Sequence, residues 1–428
     1  MKITPVKKIQ GRVTLPGDKS ISHRIALLSA IAEGVSEVSN FATSLDCHST
    51  LHCLQTMGVE FQLSKNLLVI KGTGKNLAEP EQTLDAGNSG STMRMLSGIL
   101  AGQPFLTEIT GDDSLRRRPM KRIAIPLRQM GAEIEMVSDN FAPLKIRGGN
   151  LQAIDYHMPV ASAQVKTCLL LAGLYAEGMT SVTEPTPTRN HTEVMLAEFG
   201  ADIRKDGSTI SISGGKTLHP LQYRVPGDIS SAAFLIAAAL ILPGSEIVIE
   251  SVGLNPTRRA FIDVLQRFGA SIEVVNLSHY HSEPVADLKV SYSRMKSDSK
   301  TALLDGELIA NLIDEIPILA LLGSQIDGGL VIRSASELRV KESDRIKSVV
   351  DGLRLMGAEV EEFSDGLSVP GPQNLKAASI DSANDHRIAM TFSIAALAAT
   401  GETEILGSEI VDVSFPSFFE TLSALVKA

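Results

Sequence analysis

Six long apolar runs punctuate the chain, each led by Asp, Asn or Ser. They are DKSISHRIALLSAIAEG from Asp18, GNSGSTMRMLSGILAG from Gly87, SAQVKTCLLLAGLYAEG from Ser162, GDISSAAFLIAAALILPG from Gly227, DEIPILALLGSQIDGG from Asp314 and DSANDHRIAMTFSIAALAATG from Asp381. A short polar residue ahead of such a run reads as a helix N-cap, and a helix that is apolar nearly all round belongs inside a core. Between the runs lie the β-like segments SEVSNF, LTEITG, MTSVTEP, SEIVIESV, GLVIRSA and TEILGSE, each expected to lead into a second, amphipathic helix. Five of these second helices close on one phrase: LQTMGVEF, LRQMGAEIE, LAEFGADIR, LQRFGASIEV and LRLMGAEVEE, with glycines at 58, 131, 200, 269 and 357. The phrase reads as helix, left-handed glycine, strand.

The pattern therefore predicts an α/β chain built from one unit, strand, buried helix, strand, amphipathic helix, then strands, repeated six times over 428 residues. A solenoid could stack such units. Two domains of three are favoured, because LPGDKS at Leu15–Ser20 is nearly duplicated by VPGDIS at Val225–Ser230, which places a boundary near Val225.

Composition narrows the function classes. Hydrophobic residues at 43% and charged residues at 21% describe a globular chain rather than a disordered one. The longest uncharged apolar stretch, Ala232 to Leu242, falls short of the roughly 20 residues a bilayer span needs. The opening MKITPVKKIQ has no apolar core of a secretory signal, and Cys47, Cys53 and Cys168 make no disulfide framework, so a cytoplasmic protein is expected. The net charge of −9 and an aromatic content of 4% without Trp disfavour nucleic acid and anionic membranes as partners.

Against that acidic balance, the cations recur at equivalent places. Lys19, Arg24, Arg94, Lys166 and Arg387 fall in or beside first turns of the apolar helices. Arg116, Arg117, Arg118, Arg122, Arg189, Arg258, Arg259, Arg339, Lys341 and Arg345 occupy loops after the neighbouring strands. One such run is ordinarily a solvated face, whereas the same placement in successive repeats, next to helix N-termini with their unpaired N–H groups, points to an anion trap. Carboxylates stand among the cations: Asp314 and Glu315, Glu342 and Asp344 in RVKESDR, and Asp385 beside His386. Asp314 alone reads equally as an N-cap or a general base, and the RVKESDR loop tips the balance toward catalysis.

Other signals are weaker. His48 and His52 in CHSTLHC have zinc-like i, i+4 spacing but no companion ligand motif. GTGKN at Gly72 and GGKT at Gly214 lack full nucleotide-loop spacing and are expected to be hairpin turns, and HYH at His279–His281 an exposed strand. No metal and no cofactor is expected.

The ordered motifs LPGDKSISHR, GNSGSTMR, RRRPMKR, SAQVK, RNHTE, NPTR, RVKESDR and NDHRIAM resemble those of the 5-enolpyruvylshikimate-3-phosphate synthase family, from Lys8 to the C-terminus. SAQVK, RNHTE and NPTR resemble the branch often associated with glyphosate tolerance, although Gly90 is the glycine that some tolerant members replace by Ala. The resemblance implies two inside-out α/β barrel-like domains of three units each. One would be 20–225, mainly binding shikimate 3-phosphate, and the other 1–19 with 226–428, carrying the phosphoenolpyruvate side and the catalytic carboxylates. It implies transfer of the enolpyruvyl group to the 5-hydroxyl of shikimate 3-phosphate with release of phosphate, by a monomer without metal or organic cofactor.

By the same resemblance, shikimate 3-phosphate would be held by Lys19, Ser20, Arg24, Ser162, Ala163, Gln164, Arg189, Asp314 and Lys341, and phosphoenolpyruvate by Lys19, Gly90, Arg118, Gln164, Arg345 and Arg387. Asp314 would take the proton of the attacking hydroxyl, with Glu342 and Lys19 handling the methylene proton and the departing phosphate. Many relatives also place a Lys shortly before a C-terminal Phe-Pro pair, whereas here Phe415-Pro416 follows Val413-Ser414, and Arg122 is the candidate substitute. Two alternatives stand beside this reading. An enolpyruvyl transferase acting on UDP-N-acetylglucosamine would carry a reactive Cys where this chain has SLRRRPM, and a non-catalytic polyanion-binding module would need the cations but not the carboxylates.

Overall fold

The computed structural model describes residues 1–298 and 302–427. The six apolar runs form helices α1 (Lys19–Ala30), α2 (Gly90–Ala101), α3 (Ala163–Gly173), α4 (Ile229–Ile241), α5 (Ile316–Gly323) and α6 (His386–Leu397). All are buried over nearly their whole length, on every side. Five start on a side-chain cap: Asp18 accepts from the Ile21 N–H, Ser89 from Thr92, Ser162 from Val165, Asp228 from Ser230 and Asp385 from Arg387. Helix α5 is different, since Glu315 stands at its N-cap without such a bond and Pro317 lies in its first turn. Proline brings no N–H and presets the helical φ, so less capping is needed there.

The five amphipathic helices Leu45–Thr56, Lys121–Gln129, His191–Glu198, Ala260–Arg267 and Arg345–Leu355 end alike. Gly58, Gly131, Gly200, Gly269 and Gly357 take φ between +81° and +105°. In each case the next residue's N–H reaches back to a leucine carbonyl: Val59 to Leu54, Ala132 to Leu127, Ala201 to Leu196, Ala270 to Leu265 and Ala358 to Leu353. That is the Schellman closure, and its left-handed residue is where glycine avoids a Cβ penalty.

The chain divides into two compact units, Gly17–Val225 and Met1–Pro16 with Pro226–Ala428. The first crossing falls at Pro16–Gly17, three residues ahead of the expected 19/20, because Lys19 and Ser20 are already the first residues of α1.

In Gly17–Val225, α2 packs against both α1 and α3, and three four-stranded sheets surround the helices. Each sheet has the same design, a parallel pair followed by two antiparallel strands, as in Leu84–Asp85, Leu106–Thr110, Phe141–Arg147 and Glu133–Val137. The first sheet takes its parallel strand, Gln222–Arg224, from the end of the unit, beside Glu33–Ser39. In the other unit α4, α5 and α6 pack pairwise against one another. The N-terminal residues complete two sheets there: Lys8–Thr14 runs parallel to Glu246–Gly253, and Lys2–Ile3 antiparallel to Thr403–Leu406. Strands such as Leu106–Thr110 and Met179–Thr183 alternate buried and more exposed positions, so the sheets lie outside and the helices inside. The chain is thus mixed α/β, with repeated small mixed sheets.

Two expectations change. GTGKN and GGKT are not hairpin turns, since the strands they follow, Leu67–Thr73 and Thr209–Ser213, are succeeded by strands of other sheets. Of the HYH residues, His279 lies exposed in strand Ser271–Tyr280, while His281 takes a left-handed turn conformation. Among the described residues no helix is long and apolar enough to cross a membrane.

Candidate active site

Within Gly17–Val225, the polar first turns of α1, α2 and α3 are cross-linked by side chains. Lys19 opens α1, and its Nζ lies 2.7 Å from Asp46 Oδ2, in the first turn of Leu45–Thr56. Ser20 Oγ accepts from Arg189 Nη1 at 3.0 Å. Arg24, one turn further and 3% exposed, donates from Nε to Thr192 Oγ1 at 2.7 Å and from Nη2 to Thr167 Oγ1 at 3.0 Å. Its guanidinium therefore ties α1 to α3 and to helix His191–Glu198. Ser162 caps α3, Ala163 begins it, and Gln164 follows.

The Gln164 carboxamide is held from both sides. Its oxygen accepts from Arg94 Nη1 at 2.7 Å, and its nitrogen donates to Ser91 Oγ at 2.9 Å. Arg118 is also buried, donating to Asn88 Oδ1 at 2.7 Å and to the Asn88 carbonyl at 3.3 Å. Gly90 begins α2 beside these cations, where a Cβ would stand 2.8 Å from Arg94 Nη1 and 3.5 Å from Arg118 Nη1. A larger residue would displace the guanidinium groups.

His23 sits on α1 between Lys19 and Arg24, fully enclosed, with Nδ1 2.7 Å from Thr50 Oγ1. Burial, then the charges of Lys19 and Arg24, hold its imidazole well below the ordinary histidine range. Folded and unfolded chains are then both neutral at His23 above about pH 6.5. Below that pH the unfolded chain takes up a proton that the folded one resists, so this group makes stability fall as pH drops. Thermal unfolding of the parent and of His23→Gln across pH 5 to 8 should show a shallower acid slope in the variant; identical slopes would remove His23 from the account.

In the other unit, Asp314 lies just ahead of α5 with Oδ1 3.6 Å from Arg345 Nη1 and Oδ2 3.9 Å from Arg387 Nη2. Arg387 also donates to the Asp314 carbonyl at 2.7 Å. Arg345, 1% exposed, makes a two-point contact with Asp385 at 2.7 and 3.2 Å and meets Glu342 Oε2 at 2.6 Å. Burial opposes its charge, but Asp385 and Glu342 outweigh that and hold the guanidinium above its ordinary range. Lys341 is pulled below its ordinary value by desolvation, against the opposing pull of Asp314 and Glu342. Asp314, Lys341, Glu342, Arg345 and Arg387 are thus one charge cluster.

Several cations expected in the anion trap are committed elsewhere. Lys166 has no exposed side-chain surface and is paired with Glu184 and Glu193. Arg258 donates to Ser230 Oγ at 2.6 Å and faces Glu315 at 3.6 Å, all three buried. Arg339 bridges Asp344 and Glu362, Arg259 pairs with Asp263, and Arg116 with Asp113. Asp344 caps helix Arg345–Leu355 through the Lys347 N–H, so of the RVKESDR carboxylates Glu342 alone faces the Asp314 cluster. Asp314 itself is not the N-cap, a position taken by Glu315. Arg122 is the second residue of helix Lys121–Gln129 in Gly17–Val225, whereas the Phe415 side chain is buried in the core of the other unit.

His48 and His52 face outward on a helix whose inner face carries Cys47 and Cys53, and no group of three or more His, Cys, Asp or Glu gathers among the described residues to hold a metal. Burial pushes the Cys47 and Cys53 thiols up to about 12 and raises Cys168 as well, so none is a ready nucleophile. Asp46, Thr167, Thr192 and Asn88 escaped the sequence reading. Each contacts a candidate residue far along the chain, and no local motif marks such a partner.

Residues 3–422 match the family model for EPSP synthase (3-phosphoshikimate 1-carboxyvinyltransferase). The chain is 51% identical over 427 residues to the 3-phosphoshikimate 1-carboxyvinyltransferase of Solibacter usitatus, covering 100% of this chain and 99% of that one. It is 48% identical to that of Brevibacillus brevis, covering 99% of both chains. Among solved structures, EPSP synthase from Acinetobacter baumannii superposes with a TM-score of 0.87 at 43% identity, covering 99% of this chain and 98% of the other.

Proposed function

Because the chain belongs to the EPSP synthase family and is a 3-phosphoshikimate 1-carboxyvinyltransferase of the shikimate pathway, we propose that Asp314 is its general base and that the two clusters above bind its substrates. Shikimate 3-phosphate is assigned to Lys19, Ser20, Arg24, Ser162, Ala163, Gln164, Arg189, Asp314 and Lys341. Phosphoenolpyruvate is assigned to Lys19, Gly90, Arg118, Gln164, Arg345 and Arg387. On this reading Gly17–Val225 takes mainly shikimate 3-phosphate, while the other unit supplies the catalytic carboxylates and the phosphoenolpyruvate side.

The observation that carries the reading is the Asp314 carboxylate standing 3.6 and 3.9 Å from two arginines. A base for an alcohol attacking an anionic partner must stay charged, and flanking guanidinium groups favour that form while also offering an anion its counter-charge. Asp314 accepts the 5-hydroxyl proton as the oxygen bonds to C2 of phosphoenolpyruvate, and Glu342 with Lys19 protonates C3. This gives a tetrahedral ketal phosphate. Glu342 with Lys19 then takes a proton back from the new methyl group as the C–O bond to phosphate breaks, which expels phosphate and restores the double bond. Two phosphates of roughly −1.5 to −2 each and two carboxylates explain the density of Arg and Lys. No step calls for a metal or an organic cofactor, and the enzyme is read as a cytoplasmic monomer.

Phosphate release from phosphoenolpyruvate, measured in EDTA with each acceptor in turn, tests this. Release is expected with shikimate 3-phosphate and not with UDP-N-acetylglucosamine, in keeping with the absence of Cys from Ser114–Met120. Release with neither acceptor from folded protein would return the anion-binding module.

A further inference from the structure

We propose that Lys166, buried away from the anion sites, is a positioning residue for shikimate 3-phosphate: its ammonium clips both ends of the segment from Glu184 to Glu193 and thereby fixes Arg189 beside Ser20. The inference rests on the reading that Arg189 and Ser20 contact that substrate. Lys166 Nζ lies 3.0 Å from Glu184 Oε2 and 2.7 Å from Glu193 Oε1, with 0% of its side chain exposed against 3% and 11% for the two carboxylates. Glu184 follows directly on strand Met179–Thr183, and Glu193 is in the first turn of helix His191–Glu198. One ammonium therefore joins the entry and the exit of the loop.

The loop between them, Glu184-Pro-Thr-Pro-Thr-Arg-Asn190, contains Pro185 and Pro187, which have no N–H to give. Its internal order comes from Glu184, whose Oε1 accepts the Thr188 N–H at 3.1 Å and also the Thr188 hydroxyl. Glu184 is also anchored through its backbone N–H to the Ser208 carbonyl at 3.0 Å. Arg189 follows Thr188 immediately and reaches Ser20 Oγ at 3.0 Å. Lys166 stands on α3 two residues beyond Gln164, so the helix carrying Ser162, Ala163 and Gln164 also holds the Arg189 loop in register.

The energetics favour positioning over stability as the role of this cluster. Taking one ammonium and two carboxylates out of water costs heavily, and a buried ion group of this kind, replaced as a whole by well-packed apolar side chains of similar volume, often entails no loss of stability, although removing one partner alone does. What such a cluster supplies is a fixed geometry for the backbone it ties down.

The test is a double-mutant cycle of Lys166→Met and Arg189→Ala, with steady-state kinetics for each substrate. Lys166→Met should raise KM for shikimate 3-phosphate about tenfold, the scale of one charge-assisted hydrogen bond, and leave KM for phosphoenolpyruvate within about twofold. Arg189→Ala should raise the same KM at least as much, and the double variant no further than Arg189→Ala alone, because Lys166 acts through Arg189. If Lys166→Met does not fold, the triple variant Lys166→Met, Glu184→Gln, Glu193→Gln, which leaves no buried charge unpaired, replaces it in the cycle. Additive effects, equal effects on both substrates, or no effect of the Lys166 change beside a clear Arg189→Ala effect overturn the proposal alone. An Arg189→Ala enzyme with unchanged KM overturns the assignment of Arg189 and this inference with it.

Discussion

Asp314→Asn should lower kcat by about 10²- to 10⁴-fold, the usual contribution of a positioned general base, while KM for both substrates moves by only a few-fold. Asparagine keeps the size of the side chain and can still meet Arg345 or Arg387 through its oxygen, but it cannot accept the hydroxyl proton. The cations whose charge answers the substrates are untouched, so binding survives. Stopped-flow or steady-state phosphate release, with ligand affinities from fluorescence or calorimetry, separates the two quantities. A variant with near-parental kcat would transfer the base to another group, Glu342 being the nearest candidate through Arg345. A variant that instead lost affinity for both substrates would make Asp314 a structural counter-ion of the two arginines.

Arg345→Met should cost about 3–5 kcal/mol of stability, the range for removing one partner of a buried ion pair. The guanidinium is 1% exposed and answers Asp314, Glu342 and Asp385, and Asp385 is itself fully buried. Taking it away strips Asp385 of its two-point guanidinium contact and removes one of the cations that offset Asp314 and Glu342. Urea unfolding of the parent and the variant at pH 7.5 measures the difference. Arg345→Lys should recover only part of it, because an ammonium cannot reproduce the two-point contact to Asp385. If Arg345→Met unfolded at the parental midpoint, the Asp385 pair would have no structural weight and Arg345 would be a ligand contact only. Activity should fall in both variants, with KM for phosphoenolpyruvate rising more than KM for shikimate 3-phosphate.

Much of the fold could be read along the chain because its signals are short-range. An N-cap and the left-handed glycine that closes a helix are set by residues within a turn or two, so the starts of α1 to α4 and α6 and the ends at Gly58, Gly131, Gly200, Gly269 and Gly357 were legible. Burial on every side was likewise written in composition, since an all-apolar helix has no polar face to turn to water. The exceptions have local causes too. The Pro317 in the first turn of α5 shifts the cap to Glu315, and strands leaving one sheet for another make GTGKN and GGKT exits rather than hairpins.

The candidate site was legible as a set of residue types and illegible as a set of partnerships. Lys19, Arg24, Arg94 and Lys166 occupy similar places at helix starts. Yet Lys19 meets Asp46, Arg24 meets Thr167 and Thr192, Arg94 meets Gln164, and Lys166 is enclosed by Glu184 and Glu193. These partners lie 18 to 168 positions away in the chain. By itself, then, the sequence determined the repeated unit, its buried helices and the stock of cations and carboxylates, since those depend on local periodicity and capping. Only the tertiary structure decided which cations remain with the candidate anion sites and which neutralise a buried carboxylate, because a charge is committed by whatever stands within a few ångströms of it, and that neighbour is chosen by packing between elements distant in sequence.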